Sequence, residues 1–407
     1  MRALLNSMFG RSTPELGHTA WMFSGQVGVS LAAFVLTYVM ANYVSDTVAG
    51  SYRYILAIYS SVSVFALIGL NTALTHSVSN GKTGSYFLAI KTRFTYSCGA
   101  AFIFFAYAGY VYFYQANTSL GIALLVVGLS FPLIETFSLY LPYLNGRADF
   151  KKSALFLLAN RVCTMIFVVG AIFVENNLIV LISFYCLGQI VSVYLLHRLT
   201  LRASTINSEI DDGMIPYAKH VTLMSVIGAV TAQLDKYILF VFFGPIALAK
   251  FWFASVLPQE MNRGVSIVVS TFFPRFAVGT KAQNKRVARK LYLLSSIAMI
   301  SLIGIYATVA PTLFAMFLPL HIDAIVMSTS LMCAYGFVPY YFVWQIFSAQ
   351  KDVKIMYVLN TLEPIILVTL YLILVPLYGV WGVIATIFIK NLAFNLHGLY
   401  YVITSKS

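Results

Sequence analysis

The amino-acid sequence predicts an all-α integral membrane protein of about twelve transmembrane helices, arranged as two pseudo-symmetric six-helix bundles around a central cleft. Three observations carry this. Hydrophobic residues make up 60% of the 407-residue chain and charged residues only 10%, against about 25% charged in ordinary soluble domains. Apolar stretches of about twenty residues recur from end to end, with no soluble stretch long enough to form a domain of its own. Arg and Lys gather in every second joint between those stretches, the pattern left by residues that resist translocation.

Windows of about twenty apolar residues give six spans near 17–41, 51–72, 92–114, 120–142, 153–174 and 178–197, and six more near 218–241, 250–273, 291–312, 323–347, 353–375 and 379–401. The first stretch is long enough to span the bilayer and ends without a small-residue cleavage site, so it is expected to remain in the mature protein. These spans divide into an N-terminal bundle over 1–200, a cytoplasmic linker over 201–217 and a C-terminal bundle over 218–407. The linker acids Glu209, Asp211 and Asp212 read as solvated. Cys98, Cys163, Cys186 and Cys333 fall inside spans at scattered spacings and read as small packing residues, without disulfide or metal pattern.

Twenty of the 26 basic residues lie in the termini and alternate joints: Arg2 and Arg11; Lys82, Lys91 and Arg93; Arg147, Lys151 and Lys152; Arg198, Arg202 and Lys219; a six-residue cluster from Arg275 to Lys290; Lys351 and Lys354; and Lys406. The opposite joints hold almost none. Both termini are therefore expected in the cytoplasm of a cell with the protein in its inner membrane, which requires an even number of spans. Much of the net charge of +13 is then topology signal, and no nucleic-acid partner is needed to explain it. The halves also show weak similarity: Ser45–Tyr52 (SDTVAGSY) parallels Gly244–Phe251 (GPIALAKF), each leading into a helix through a small residue and an aromatic.

The remaining bases, Arg53, Arg161, Lys236, Lys250, Arg263 and Lys390, fall within or at the edge of spans, as do the acids Glu135, Asp235, Glu260 and Glu363. An ionised group at the bilayer centre costs at least about 2.5 kcal/mol, so these side chains must face protein or water. On span eight, Ser255, Gln259, Asn262, Arg263, Ser266 and Ser270 form a polar stripe. Arg53, Ser60 and Asn71 on span two, and Gly228, Thr231 and Asp235 on span seven, form others. Arg53, Arg263, Lys390, Lys236, Arg161, Gln259 and Asn262 are the candidate cleft residues, and Asp235, Glu135 and Glu363 the candidates for ion coupling. Asp235 beside Lys236, and Glu260 three residues before Arg263, also fit structural ion pairs, while Arg161 and Lys250 also fit snorkelling. Six bases against four acids favour an anionic substrate, and the planar fork of Arg suits phosphate. Among the many aromatics, Tyr335, Tyr340 and Tyr341 around Pro339 stand out as candidates for sugar stacking; most others read as interface belts and helix packing.

Four passages then carry a family likeness: Gly69–Ala73 (GLNTA), Gln233–Gly244 (QLDKYILFVFFG), Pro245–Phe253 and Pro376–Ala385 (PLYGVWGVIA). In these, and in length and span count, the chain resembles the Wzx-type O-antigen polysaccharide flippases of the multidrug/oligosaccharidyl-lipid/polysaccharide exporter superfamily. The resemblance implies an alternating-access flippase for an undecaprenyl-diphosphate-linked oligosaccharide, without a cofactor. It implies as partners the lipid-linked oligosaccharide, membrane lipids, a polysaccharide polymerase and a chain-length regulator. Arg53 and Arg263 stand at positions like arginines of the related lipid II flippases, but Gly17–Ala41 has no Lys or Arg where those carry a third, which puts the oligosaccharide ahead of lipid II. A multidrug exporter of the same superfamily is the rival transporter and would want an acidic cleft. A membrane-embedded polysaccharide-synthesis enzyme would want a large catalytic loop, yet the longest joint is short and no HExxH, GxSxG or phosphate-loop motif occurs.

Overall fold

A computed structural model describes residues 13–270, 276, 281–337, 339–349 and 353–404. All regular structure among them is helical. The N-terminal half comprises α1 (Thr13–Tyr43), α2 (Asp46–Val62), α3 (Leu70–Ser79), α4 (Ser85–Phe113), α5 (Thr118–Phe137), α6 (Tyr140–Gly146), α7 (Phe150–Val174) and α8 (Leu178–Ala203). The C-terminal half comprises α9 (Met214–Thr231), α10 (Leu234–Ser270), α11 (Lys281–Phe317), α12 (Ile325–Tyr335), α13 (Pro339–Ala349), α14 (Val353–Tyr378) and α15 (Val380–Thr404).

Ten described helical runs are long and apolar enough to cross a membrane, and the bent pair Asp46–Ala66 and Leu70–Ser79, turned by 54°, makes one more. One of the ten, Met214–Ser266, runs for 53 residues, roughly 80 Å at the helical rise, against a hydrocarbon core of about 30 Å. It turns at Gly244, whose φ of 78° lies in the left-handed region that glycine enters without a Cβ penalty. The turn folds the chain back, because Asp235 before it and Asn262 after it line one cavity. The chain is thus a multi-pass membrane protein, and with Met214–Ser266 counted as two passes the described helices make about twelve spans in two halves.

Short polar caps start several spans. The side chains of Asn117, Asp149 and Asn177 accept hydrogen bonds from the backbone N–H of Leu120, Lys152 and Ile179, which satisfies donors that the first helical turn leaves free. The joints at residues 44–45, 114–117, 175–177, 244, 318–324 and 379 lie at one end, the short-joint end. Lys82, Arg147, Lys151, Lys152, Arg198, Arg202 and Lys219 mark the basic end. Arg2, Arg11, Arg275, Lys351 and Lys406 lie outside the described residues, as do the side chains of Ser270, Lys281, Lys285, Arg286 and Lys354.

The structure corrects several details of the sequence reading. Spans two, four, seven and ten are each broken within the membrane region. Span two bends at Leu67, which holds left-handed φ and ψ of 64° and 57°, so Asn71 stands on α3 and does not continue the face of Arg53. Arg93, assigned above to a basic joint, is only 2% exposed and pairs with Glu135. The linker between α8 and α9 is narrower than expected, residues 204–213, and Asp211 is tethered instead of solvated: Ser77 Oγ and Lys82 Nζ donate to its carboxylate at 2.7 and 3.3 Å.

The halves meet at both ends. At the short-joint end a Cβ added to Gly50 would fall 1.8 Å from the carbonyl oxygen of Pro245, so α2 and the start of the second segment of α10 approach as closely as backbones allow. Asn42 Nδ2 donates to Phe317 O at 2.9 Å, and His321 Nε2 lies 3.2 Å from Ala41 O. Lys250 pairs with Asp323 at 2.8 Å beside this seam. Towards the basic end the Gly69 N–H donates to Thr222 Oγ1 at 2.9 Å, and Leu67, Leu70, Leu74, Met214 and Ala218 form one buried cluster there.

Candidate functional site

Between these two seams lies a cavity of about 560 Å³. Arg53 reaches it from α2, Asp235 and Lys236 from the first segment of α10, Gln259, Asn262 and Arg263 from the second, Glu363 from α14 and Lys390 from α15. The break after Thr231 and the turn at Gly244 fold α10 into two antiparallel walls, which is how residues nearly thirty positions apart face one space. Gly228 and Thr231 of α9 line it too. A narrower chamber of about 80 Å³ adjoins it, sharing Arg53, Gln259 and Arg263 and adding Arg161, Trp252 and Glu260.

Eight of the ten residues singled out in the sequence therefore line the main cavity, and Arg161 borders the adjoining chamber. Glu135 does not join them. It sits 6% exposed within the N-terminal half, where Arg93 Nη2 donates to Oε2 and Tyr59 OH donates to Oε1 at 3.0 Å. Lys250 is also apart, at the short-joint seam.

The charges in the site divide by partner. Lys236 Nζ donates to both oxygens of Asp235, at 3.0 and 3.2 Å. Lys390 Nζ donates to Glu363 Oε1 at 3.0 Å. Arg263 Nη1 donates to Glu260 Oε1, whose other oxygen accepts from Ser30 Oγ at 2.5 Å. Arg53 and Arg161 have no carboxylate within ion-pair distance among the described residues. The Arg53 guanidinium lies over the indole of Trp252, 5.4 Å from its centroid, a contact that holds the fork but neutralises nothing. Two groups buried in the walls also lack hydrogen-bond partners, Arg161 Nε and Asn262 Oδ1. Five bases face three acids across the two spaces, and removing unpaired cations from water is expensive. The two spaces therefore carry a net excess of positive charge.

Sequence reasoning anticipated the Lys236–Asp235 and Arg263–Glu260 pairs from their spacing, but not Lys390–Glu363, which joins two spans. It also missed Trp252 and Tyr371 in the walls, whereas Tyr335, singled out above with Tyr340 and Tyr341, does line the main cavity. Trp252 lies within the quoted passage Pro245–Phe253, and its four-residue spacing from Val256 and seven-residue spacing from Gln259 marks one helix face, the available signal. Among the described residues, no group of three or more His, Cys, Asp or Glu is placed to hold a metal ion.

No protein-family model and no curated protein matches the sequence. Solved structures do match over nearly the whole chain. The lipid II flippase MurJ in an inward closed conformation superposes with a TM-score of 0.70 at 16% identity, covering 94% of this chain and 87% of that one. An outward-facing multidrug resistance MATE family transporter of the MOP superfamily gives 0.67 at 12% identity, covering 96% of each chain. A MOP superfamily transporter from Pyrococcus furiosus, described as having a binding pocket of reverse polarity, gives 0.63 at 12% identity, covering 95% of each. At these identities the likeness is one of architecture, and on it the chain has the fold of MOP superfamily transporters.

Proposed function

We propose that this protein is a flippase that moves an undecaprenyl-diphosphate-linked oligosaccharide from the cytoplasmic to the external leaflet of the cell inner membrane by alternating access. The observation that carries the reading is the pair of guanidinium groups without carboxylate partners, Arg53 and Arg161, beside a cavity of about 560 Å³ between the two halves. A diphosphate supplies the missing negative charge, and an Arg fork holds it through paired hydrogen bonds. Arg53 and Arg263 take the diphosphate from opposite walls, Arg161 closes on it from the narrow chamber, and Gln259 and Asn262 bond its oxygens or the first sugar.

In this reading Lys236 and Lys390 turn from their carboxylates towards the substrate, and Asp235 and Glu363 are left to take up a proton or a small cation. That exchange links substrate binding to the state of the acids. The short-joint end, external by the charge pattern, opens where Gly50 meets Pro245, while the contact of Gly69 with Thr222 near the other end serves as the pivot. An exporter of organic cations would need the opposite balance of charge in the cavity.

The test is flipping by the purified protein in proteoliposomes, scored by the accessibility of a fluorescent undecaprenyl-diphosphate oligosaccharide to an external quencher. The Arg53→Ala, Arg263→Ala double variant is expected to lose at least about tenfold in rate, the equivalent of about 1.4 kcal/mol in the transition state. A double variant that flips at the wild-type rate overturns the reading.

A further inference from the structure

Beside the cationic cavity, within the C-terminal half, lies another chamber of about 260 Å³. Tyr340, Tyr341 and Trp344 of α13 and Phe394 of α15 form much of its wall. It shares Tyr335, Glu363 and Lys390 with the cationic cavity, so the Lys390–Glu363 pair stands on the boundary between the two spaces. The break in span ten creates it. Helix α12 ends at Tyr335 and α13 begins at Pro339, a residue suited to a first helical position because it has no N–H to satisfy.

An aromatic cluster of this kind is ordinarily core, but two features separate this one from core. It encloses open volume instead of being filled. Tyr340 is 7% exposed and its hydroxyl has no hydrogen-bond partner, whereas buried hydroxyls in folded proteins are nearly always bonded. Glu363 on the boundary is also 42% exposed, with Lys390 bonded to one of its oxygens. The chamber thus offers aromatic faces and polar groups together, next to a site for an anion.

We propose that this chamber is a glycosyl subsite, in which the aromatic faces cover the C–H face of a pyranose ring while the Tyr340 hydroxyl and the Glu363–Lys390 pair bond its hydroxyl groups. The proposal rests on the flippase reading above and adds to it where a sugar lies relative to the diphosphate. A prenyl chain suits the chamber less well, because it would cover the Tyr340 hydroxyl and the ion pair with hydrocarbon that bonds neither. Tyr and Trp fit the glycosyl role because each combines a large apolar face with a polar edge.

Binding by the full-length protein in nanodiscs, followed by native mass spectrometry, tests this. The ligands are undecaprenyl diphosphate and its glucosyl, galactosyl and N-acetylglucosaminyl derivatives. At least one glycosylated lipid is expected to bind about tenfold more tightly than the bare lipid, the equivalent of about 1.4 kcal/mol. Tyr340→Phe, which removes only the hydroxyl, and Trp344→Ala, which removes a ring, are both expected to bring that ratio towards one. A ratio retained in both variants, or no preference for any glycosylated lipid, overturns the subsite. Binding of the bare lipid that is unaffected by Arg53→Ala with Arg263→Ala rejects the flippase reading itself, whereas arginine-dependent binding without a glycosyl preference rejects the subsite alone.

Discussion

Arg93 Nη1 donates to the carbonyl oxygen of Leu67 at 2.9 Å, the residue whose left-handed conformation bends the second span. The same guanidinium bonds Glu135, so one buried ion pair ties three spans at the bend that separates Arg53 on α2 from the inter-half contact made by Gly69. Removing Arg93 leaves the buried Glu135 without its cation inside the N-terminal half, with only the Tyr59 hydroxyl still bonded to it, and breaking a buried pair on one side typically costs about 3 to 5 kcal/mol. Arg93→Met is therefore expected to lower the thermal unfolding midpoint in detergent substantially. The double variant Arg93→Met, Glu135→Leu should recover most of that loss. A double variant no more stable than the single one would show that the pair is not the source of the effect.

The bend also shows what the sequence could not reveal. A leucine carries no propensity for left-handed backbone, so Leu67 gave no turn signal, although Gly69 two positions on lies in a quoted motif. Arg93 was misplaced for a related reason. Hydropathy locates a span's edge but not which way a side chain near that edge points. Lys91 is exposed, yet two residues on, about 200° round the helix, Arg93 is buried. The Lys390–Glu363 pair was hidden because its members are on different spans, where helical spacing has no bearing. What was legible was the set of cavity-lining residues, since a charge or amide inside an apolar span has so few tolerable environments.

Gly50 supplies the second prediction. The segments Ser45–Tyr52 and Gly244–Phe251, read as a weak repeat, prove to pack against each other, with Gly50 on Pro245. A methyl group at residue 50 would overlap a backbone oxygen that has no rotamer to change, so the helices must separate. Gly50→Ala is expected to widen the short-joint seam, read as a longer spin-label distance between Tyr43 and Ile322, both exposed at that end. Under the proposed alternating-access function it should also slow flipping by weakening the closed state. An unchanged distance would mean that the seam accommodates the methyl by sliding.

Asp211 makes the linker sensitive to acid. The Ser77 hydroxyl first, and then Lys82, hold its carboxyl below the usual carboxylate value. A depressed folded value means that the docked linker is stabilised above the unfolded pKa of about 3.9 and loses that stabilisation as pH falls through the folded one. A spin label on exposed Ser208 should be equally immobile from about pH 8 to pH 5 and become mobile only below about pH 4. Asp211→Asn should be mobile at all of these values. A label whose mobility changes between pH 8 and 6 would point to a different titrating group.

The pair at the boundary of the two chambers gives a prediction in which opposite substitutions have opposite signs. Lys390 now spends its charge on Glu363, 3.0 Å away. Under the proposed function, neutralising the acid in Glu363→Gln frees that ammonium for the diphosphate, whereas Lys390→Ala leaves a carboxylate facing it. Two unit charges about 4 Å apart interact by about 4 kcal/mol at the effective dielectric of a protein surface, and competing groups and water reduce the net effect well below that. Undecaprenyl diphosphate should therefore bind Glu363→Gln several-fold more tightly than wild type and Lys390→Ala several-fold more weakly. Raised salt should shrink both differences, because screening acts on charge and not on shape. If both substitutions weaken binding alike, the pair serves to hold α14 against α15, and the anion is bound by the arginines alone.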